Sequence, residues 1–132
     1  MANEMQFDLV TPERKLASYA ATAVEIPGAE GDMTAMEGHS PLITSLRPGV
    51  LRATTSDGVK SFVVSGGFAE INASAISVLA ERAVPIEEAT GTIIDTMLDE
   101  ARSLMEAALP EDRDAAQKLV HDIEMLRGTV AI

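Results

Sequence analysis

The sequence has no cysteine and no tryptophan, and only one tyrosine, three phenylalanines and two histidines in 132 residues. Without cysteine there are no disulfides, thiolate metal sites, iron–sulfur clusters or thiol nucleophiles. So few aromatic rings leave little to stack a base or a sugar on. Cations are scarce too: 10 Lys and Arg stand against 21 Asp and Glu, for a formal charge of −11. Such a chain repels phosphate backbones and anionic lipid, which excludes binding to either through a basic patch. No apolar run exceeds three residues, so no segment reads as membrane-spanning. The first ten residues hold no Lys or Arg, and no secretory or transit signal is visible there.

Apolar side chains make up 46% of the chain, enough for a packed core built from aliphatics, alanine and seven methionines. Composition changes near residue 86. Seven of nine glycines and five of six prolines lie in residues 1–86. Residues 87–132 carry four basic and eleven acidic side chains. The simplest organisation is two architectures in one chain, residues 1–86 and residues 87–132.

The first part reads as β structure. Short Val, Ile, Phe, Leu and Thr segments recur between Pro27-Gly28, Glu30-Gly31-Asp32, Pro48-Gly49, Asp57-Gly58 and Gly66-Gly67. Asp57-Gly58 predicts a hairpin with a tight primed turn. Ala20, Thr22, Val24 and Ile26 alternate as one strand face, as do Ile76, Val78 and Ala80. Phe62-Val63-Val64 reads as covered on both faces. So many short strands predict a β-sandwich or flattened barrel. The second part reads as helices. Ile86, Ala89, Ile93, Met97, Ala101, Leu104 and Ala108 recur at steps of three and four, opposite Asp95, Asp99, Arg102 and Glu106. Pro110 ends that helix. Asp112 or Asp114 caps a second, with a stripe of Ala115, Ala116, Leu119, Ile123 and Leu126 and a stop at Gly128. The short link makes the pair an antiparallel α-helical hairpin.

No catalytic constellation emerges. His39 and His121 fall in different architectures, without metal-ligand spacing. Gly38-His39-Ser40-Pro41 lacks the second glycine of a nucleophile elbow. Ser65-Gly66-Gly67 has no Gly-Lys-Ser/Thr and no following helix, so it reads as a bulge or close backbone approach and not as a phosphate loop. Glu87-Glu88, Asp99-Glu100 and Glu111–Asp114 lack calcium-loop spacing and suit solvated helix ends. No cofactor is expected, and a binding or structural subunit fits better than an enzyme.

The order of motifs carries more. Phe7-x-Leu9-Val10-Thr11-Pro12-x-Arg14 is followed by Ile26–Met33. Then come Gly38-His39-Ser40-Pro41-Leu42-Ile43-Thr44-Ser45-Leu46-x-Pro48-Gly49, Phe62-x-Val64-Ser65-Gly66-Gly67-Phe68-x-Glu70-Ile71 and Val78-Leu79-Ala80-Glu81-x-Ala83. This series resembles the epsilon subunit of F-type ATP synthase over about residues 5–84. Over residues 87–132 the likeness is one of architecture. The resemblance implies a rotor subunit of the central stalk with no active site. It binds the gamma subunit, sits on the c-ring, and couples proton flow to ATP synthesis. By position, Glu30, Gly31 and Asp32 match the segment facing the polar loops of the c-ring. Leu16, His39, Pro41, Ile43 and Phe68 match the gamma-facing surface. The hairpin would reach the alpha and beta subunits of the catalytic head. The place implied is peripheral, on the cytoplasmic side of a bacterial inner (plasma) membrane.

Two departures concern the hairpin. Some bacterial members bind ATP through Ile or Leu, Asp, two residues, Arg and Ala at the start of the first helix. Leu98–Ser103 resembles that pattern but comes later, and the usual slot holds Ala89–Ile94. Leu98–Ser103 therefore reads as ordinary surface pairing, and a nucleotide-sensing module binding ATP through the hairpin is the alternative. Residues 111–132 hold three basic and five acidic side chains, which opposes docking on an acidic segment of the beta subunit. Weak or absent inhibition is expected.

Overall fold

The computed structural model describes residues 4–130, and its architecture turns on two long strands. Eight strands form among the described residues: β1 (Met5–Val10), β2 (Lys15–Ala21), β3 (Ala23–Gly28), β4 (Gly31–Met36), β5 (Leu42–Ser45), β6 (Gly49–Thr55), β7 (Gly58–Ile71) and β8 (Ala75–Pro85). β7 and β8 pair antiparallel in one register from Phe62↔Pro85 to Ile71↔Ile76. Each belongs to two layers. The first half of β7 pairs with β6, and its last four residues pair with β5. The first half of β8 pairs parallel with β1, which pairs with β2. One layer thus runs β2-β1-β8-β7-β5, and the other runs β8-β7-β6-β3-β4.

The bend lies at Gly66 and Gly67, with φ of 73° and 86°. L side chains rarely adopt such angles. A Cβ on Gly67 would sit 1.9 Å from the Leu79 carbonyl oxygen, so the crossing strand leaves no room for one. The expected close backbone approach is therefore present. The buried positions of β7 change phase here, from Phe62 and Val64 to Ala69 and Ile71. Those of β8 change with them, from Ile76, Val78 and Ala80 to Ala83.

The core between the layers alternates as half-buried strands require. Met5, Phe7 and Leu9 of β1 meet Val24 and Ile26 of β3, Leu51 and Ala53 of β6, and the inward positions of β7 and β8 in one cluster. Fully burying each large aliphatic or phenylalanine is worth about 1.5–3 kcal/mol. The aromatic shortage is met by one tilted pair, Phe7 and Tyr19, with ring centroids 5.6 Å apart.

Three strand details differ from expectation. Ala20 through Ile26 is not one strand: the chain breaks at Thr22, whose amide donates to the Thr54 carbonyl at 2.8 Å. Ala21 replaces Ala20 as the inward residue. The β6–β7 hairpin exists, but its loop is Ser56-Asp57, and Gly58 (φ 114°) pairs with Thr55. The Thr55 hydroxyl accepts from the Asp57 amide at 3.1 Å and holds this turn. The run Phe62-Val63-Val64 is buried throughout, as expected.

A second compact unit begins at Ile86. It holds α1 (Gly91–Ala107) and α2 (Arg113–Val130), which pack on each other. The residues of the expected first turn form a 3-10 turn, Ile86–Glu88, and Thr90 caps α1 by accepting from the Ile93 amide at 3.3 Å. α1 stops before Pro110, as expected, because proline disfavours helix at the residue preceding it. A 3-10 turn at Pro110–Asp112 leads into α2. The buried seam is Ile94, Met97, Leu98 and Ala101 with Val120, Ile123 and Leu126. Leu104 and Ala115, placed in the stripes from sequence, are exposed. Gly128 does not stop α2, which runs on to Val130. One glycine costs a helix only about 1 kcal/mol, too little to end it. Arg127 and Asp95 form an ion pair between the two helices.

Candidate interaction surfaces

The hairpin of β3 and β4 ends in a tight tip. Gly28 pairs with Gly31, leaving Ala29 and Glu30 as the loop. A Cβ on Gly28 would lie 2.8 Å from the Gly31 carbonyl oxygen, and Gly31 has φ 143°. Both glycines are therefore needed for this turn. The tip is tied to the end of β5 and to the chain just after it. The Ala29 amide donates to the Ser45 carbonyl at 2.8 Å, and the Arg47 amide to the Pro27 carbonyl at 3.0 Å. Arg47 then reaches over the turn. Its Nη1 donates to the Gly28 carbonyl at 2.6 Å, and its Nη2 pairs with the Asp32 carboxylate.

Glu30, Gly31 and Asp32 line one wall of an open groove of about 510 Å³ whose other wall is Leu42–Ser45. Ile43 is 66% exposed and Leu42 42%. The structure thus joins residues that the resemblance assigned to separate partners: Ile43, expected toward gamma, borders the tip expected toward the c-ring. Glu30 makes no hydrogen bond or ion pair among the described residues. Its carboxylate can meet a basic or amide group from outside.

A second surface lies on the outer side of the layer β2-β1-β8-β7-β5. Phe68 is 39% exposed, stands outside the core cluster and pairs directly with Leu79, which is 43% exposed. Val10, in register with Leu79 across β8, is half-buried and extends the row. Leu16 sits at the β1–β2 register shift and is partly buried against the core. Pro41 is exposed before β5. His39 is a turn residue: its amide donates to the Met36 carbonyl at 3.1 Å, and its Nδ1 lies 2.6 Å from the Ser40 carbonyl. A carbonyl only accepts, so Nδ1 carries the proton.

Three residues at these surfaces were missed. Leu79 left a signal, since it interrupts the Ile76, Val78, Ala80 alternation with an apolar side chain on the polar face. Arg47 left another: it is the lone cation between Lys15 and Arg52, in a span with Glu25, Glu30, Asp32 and Glu37. Leu42 left none beyond its β propensity. In α1, Leu98 and Ala101 of the ATP-like pattern are buried, while Asp99 and Arg102 are exposed one turn apart. No cluster of His, Asp and Glu suited to a metal exists among the described residues.

Two layers bent at a glycine pair, a polar tip and an apolar row define a β-sandwich made for contact. The matching family model is the β-sandwich domain of the ATP synthase delta/epsilon chain, over residues 4–86. The chain belongs to that family. Curated relatives called ATP synthase epsilon chain include one from Cereibacter sphaeroides, 60% identical, with 98% of each chain covered. One from Rhodobacter capsulatus is 50% identical over 96% of each, and one from Brucella canis is 42% identical over 98% of each. Among solved structures, a chain of the Euglena gracilis mitochondrial ATP synthase, determined with OSCP, F1 and c-ring, superposes with a TM-score of 0.73. The identity is 25%, covering 96% of this chain and 81% of that one. Among the described residues no helix is long and apolar enough to cross a membrane.

Proposed function

We propose that this chain is a non-catalytic rotor subunit of the ATP synthase central stalk that links the gamma subunit to the c-ring and couples proton flow to ATP synthesis. The observation that carries this reading is the row of Phe68, Leu79 and Val10 across three strands of one sheet face. Large apolar side chains gathered on one face suit a partner surface better than water. In this reading the row faces gamma, with Leu16, His39, Pro41 and Ile43 toward its edge. The tip Glu30–Asp32 faces the polar loops of the c-ring. The chain then lies peripherally on the cytoplasmic side of a bacterial inner membrane, with no active site of its own.

The test is co-purification. A tagged full-length chain is expected to bring down gamma with alpha and beta. Phe68→Ser combined with Leu79→Ser should weaken gamma binding about thirty-fold, the loss of one interface hot spot of about 2 kcal/mol. Wild-type chain that captures no gamma, or a double variant of unchanged affinity, would refute the reading. Residues 111–132, with three basic and five acidic side chains, make the hairpin a weak inhibitor or none. Deleting residues 87–132 should leave ATP hydrolysis by the reconstituted enzyme within about two-fold, given the like-charge penalty against docking on an acidic segment. A several-fold rise would overturn this.

A further inference from the structure

We infer that Arg47 is a positioning residue that clamps the β3–β4 tip and so sets the shape and charge offered to the rotor partner. The inference rests on the tip facing the c-ring. One guanidinium spans both arms of the hairpin, holding the Gly28 carbonyl on β3 and the Asp32 carboxylate on β4. The two bonds differ in weight. The Asp32 side chain is 79% exposed, so its ion pair is screened by solvent and salt. The Arg47 side chain is only 26% exposed, and its bond to the Gly28 carbonyl is partly buried. The carbonyl bond therefore supplies most of the holding force, and the carboxylate sets direction. Arginine is required because its planar fork meets two acceptors at once, whereas an ammonium is a single point charge.

The clamp also divides the labour of the two acids. Asp32 is paired with Arg47 and partly neutralised, although exposed. Glu30, without a partner among the described residues, is left as the carboxylate that reaches out. Sequence position placed Glu30 and Asp32 together at the tip, and the clamp leaves the outward role to Glu30.

The test is amide hydrogen exchange by NMR on the full-length chain, beside affinity for detergent-solubilised c-ring. Arg47→Met keeps the apolar stem and removes the donors. It should speed exchange of the Ala29 amide about ten-fold, equivalent to one charge-assisted hydrogen bond of about 1.4 kcal/mol, and weaken c-ring binding by a similar factor. Core amides such as Leu51 should not change. Arg47→Lys should fall between wild type and Arg47→Met. Asp32→Asn should have a smaller effect that vanishes at high salt, and adding it to Arg47→Met should do nothing more. Unchanged exchange at Ala29 in Arg47→Met would overturn the clamp. Faster exchange with unchanged c-ring affinity would overturn its link to docking. If c-ring affinity ignores even Glu30→Ala with Asp32→Ala, the placement of the tip is what fails, and the exchange data still report on the clamp.

Discussion

Replacing Gly67 with alanine should cost far more than the same change at Gly38, although both have φ 86°. At Gly38 nothing lies within 4 Å of the new Cβ, so the penalty is the backbone conformation alone, about 1–2 kcal/mol. At Gly67 the Cβ would sit 1.9 Å from the Leu79 carbonyl oxygen and 2.9 Å from the Ala80 Cα. Both are backbone atoms of the paired strand and cannot swing aside. Overpacking adds about 1–3 kcal/mol, for a total of about 2–5 kcal/mol. A small domain holds only about 5–15 kcal/mol. Gly66→Ala is an internal control. Its nearest clash is the movable Glu81 carboxylate at 2.4 Å, with the Glu81 Cβ at 3.1 Å, so its cost should lie between those of Gly38→Ala and Gly67→Ala. Urea unfolding followed by Tyr19 fluorescence isolates the sandwich, because the chain has no other tyrosine and no tryptophan. With an m-value of about 2 kcal/mol/M, the Gly67→Ala midpoint should drop by about 1–2.5 M. Midpoints for Gly67→Ala and Gly38→Ala that coincide would refute the steric argument.

Two further predictions concern other parts of the chain. Gly128→Ala lies within α2 with open space around the Cβ, so it should stabilise the hairpin by about 0.8–1 kcal/mol. A thermal melt read by helical circular dichroism that shows no gain would contradict this. The Asp8 carboxyl is held below its ordinary range, first by the Ser18 hydrogen bond, then by Gln6 and Lys15, against an opposing burial effect. A carboxyl lowered on folding stabilises above its unfolded value near about 3.9, and that stabilisation is lost as pH falls through the folded value. Asp8→Asn should therefore lose less stability than wild type between about pH 5 and pH 3. Parallel urea midpoints across that range would exclude the Asp8 contribution.

Much of the fold is legible because it depends on local chemistry. Strand alternation at Ile76, Val78 and Ala80 follows the period of the pleat, and Pro110 stops a helix wherever it falls. What the sequence hides is phase and reach. The alternation from Ala20 to Ile26 runs across two strands whose inward positions change phase at Thr22, from Ala17 and Ala21 to Val24 and Ile26, and the apolar but exposed Ala20 hides that change. Gly128 looks like a terminator, yet α2 continues because a single unfavourable residue cannot outweigh the turns on either side. For the surfaces, the positions near Gly31 and Phe68 could be found by order along the chain. Arg47 could not be assigned its partner, since Asp32 lies fifteen residues earlier and only the folded hairpin brings them together. Thr90 as a cap was hidden by the apolar period, which extends through Ile86 and Ala89 although the backbone there is not yet α-helical.

The two strands shared by both layers give the sandwich a mechanical property. In most stacked sheets the layers cohere only through interlocked side chains, which slide under lateral load. Here two covalent ribbons pass from one layer into the other, cross-linked by a hydrogen-bonded ladder that skips only the Gly66 position. A push on one layer travels through the backbone into the other, and shear must first tear that ladder. A body spun from one side and dragged from the other would be spared slippage by such a joint.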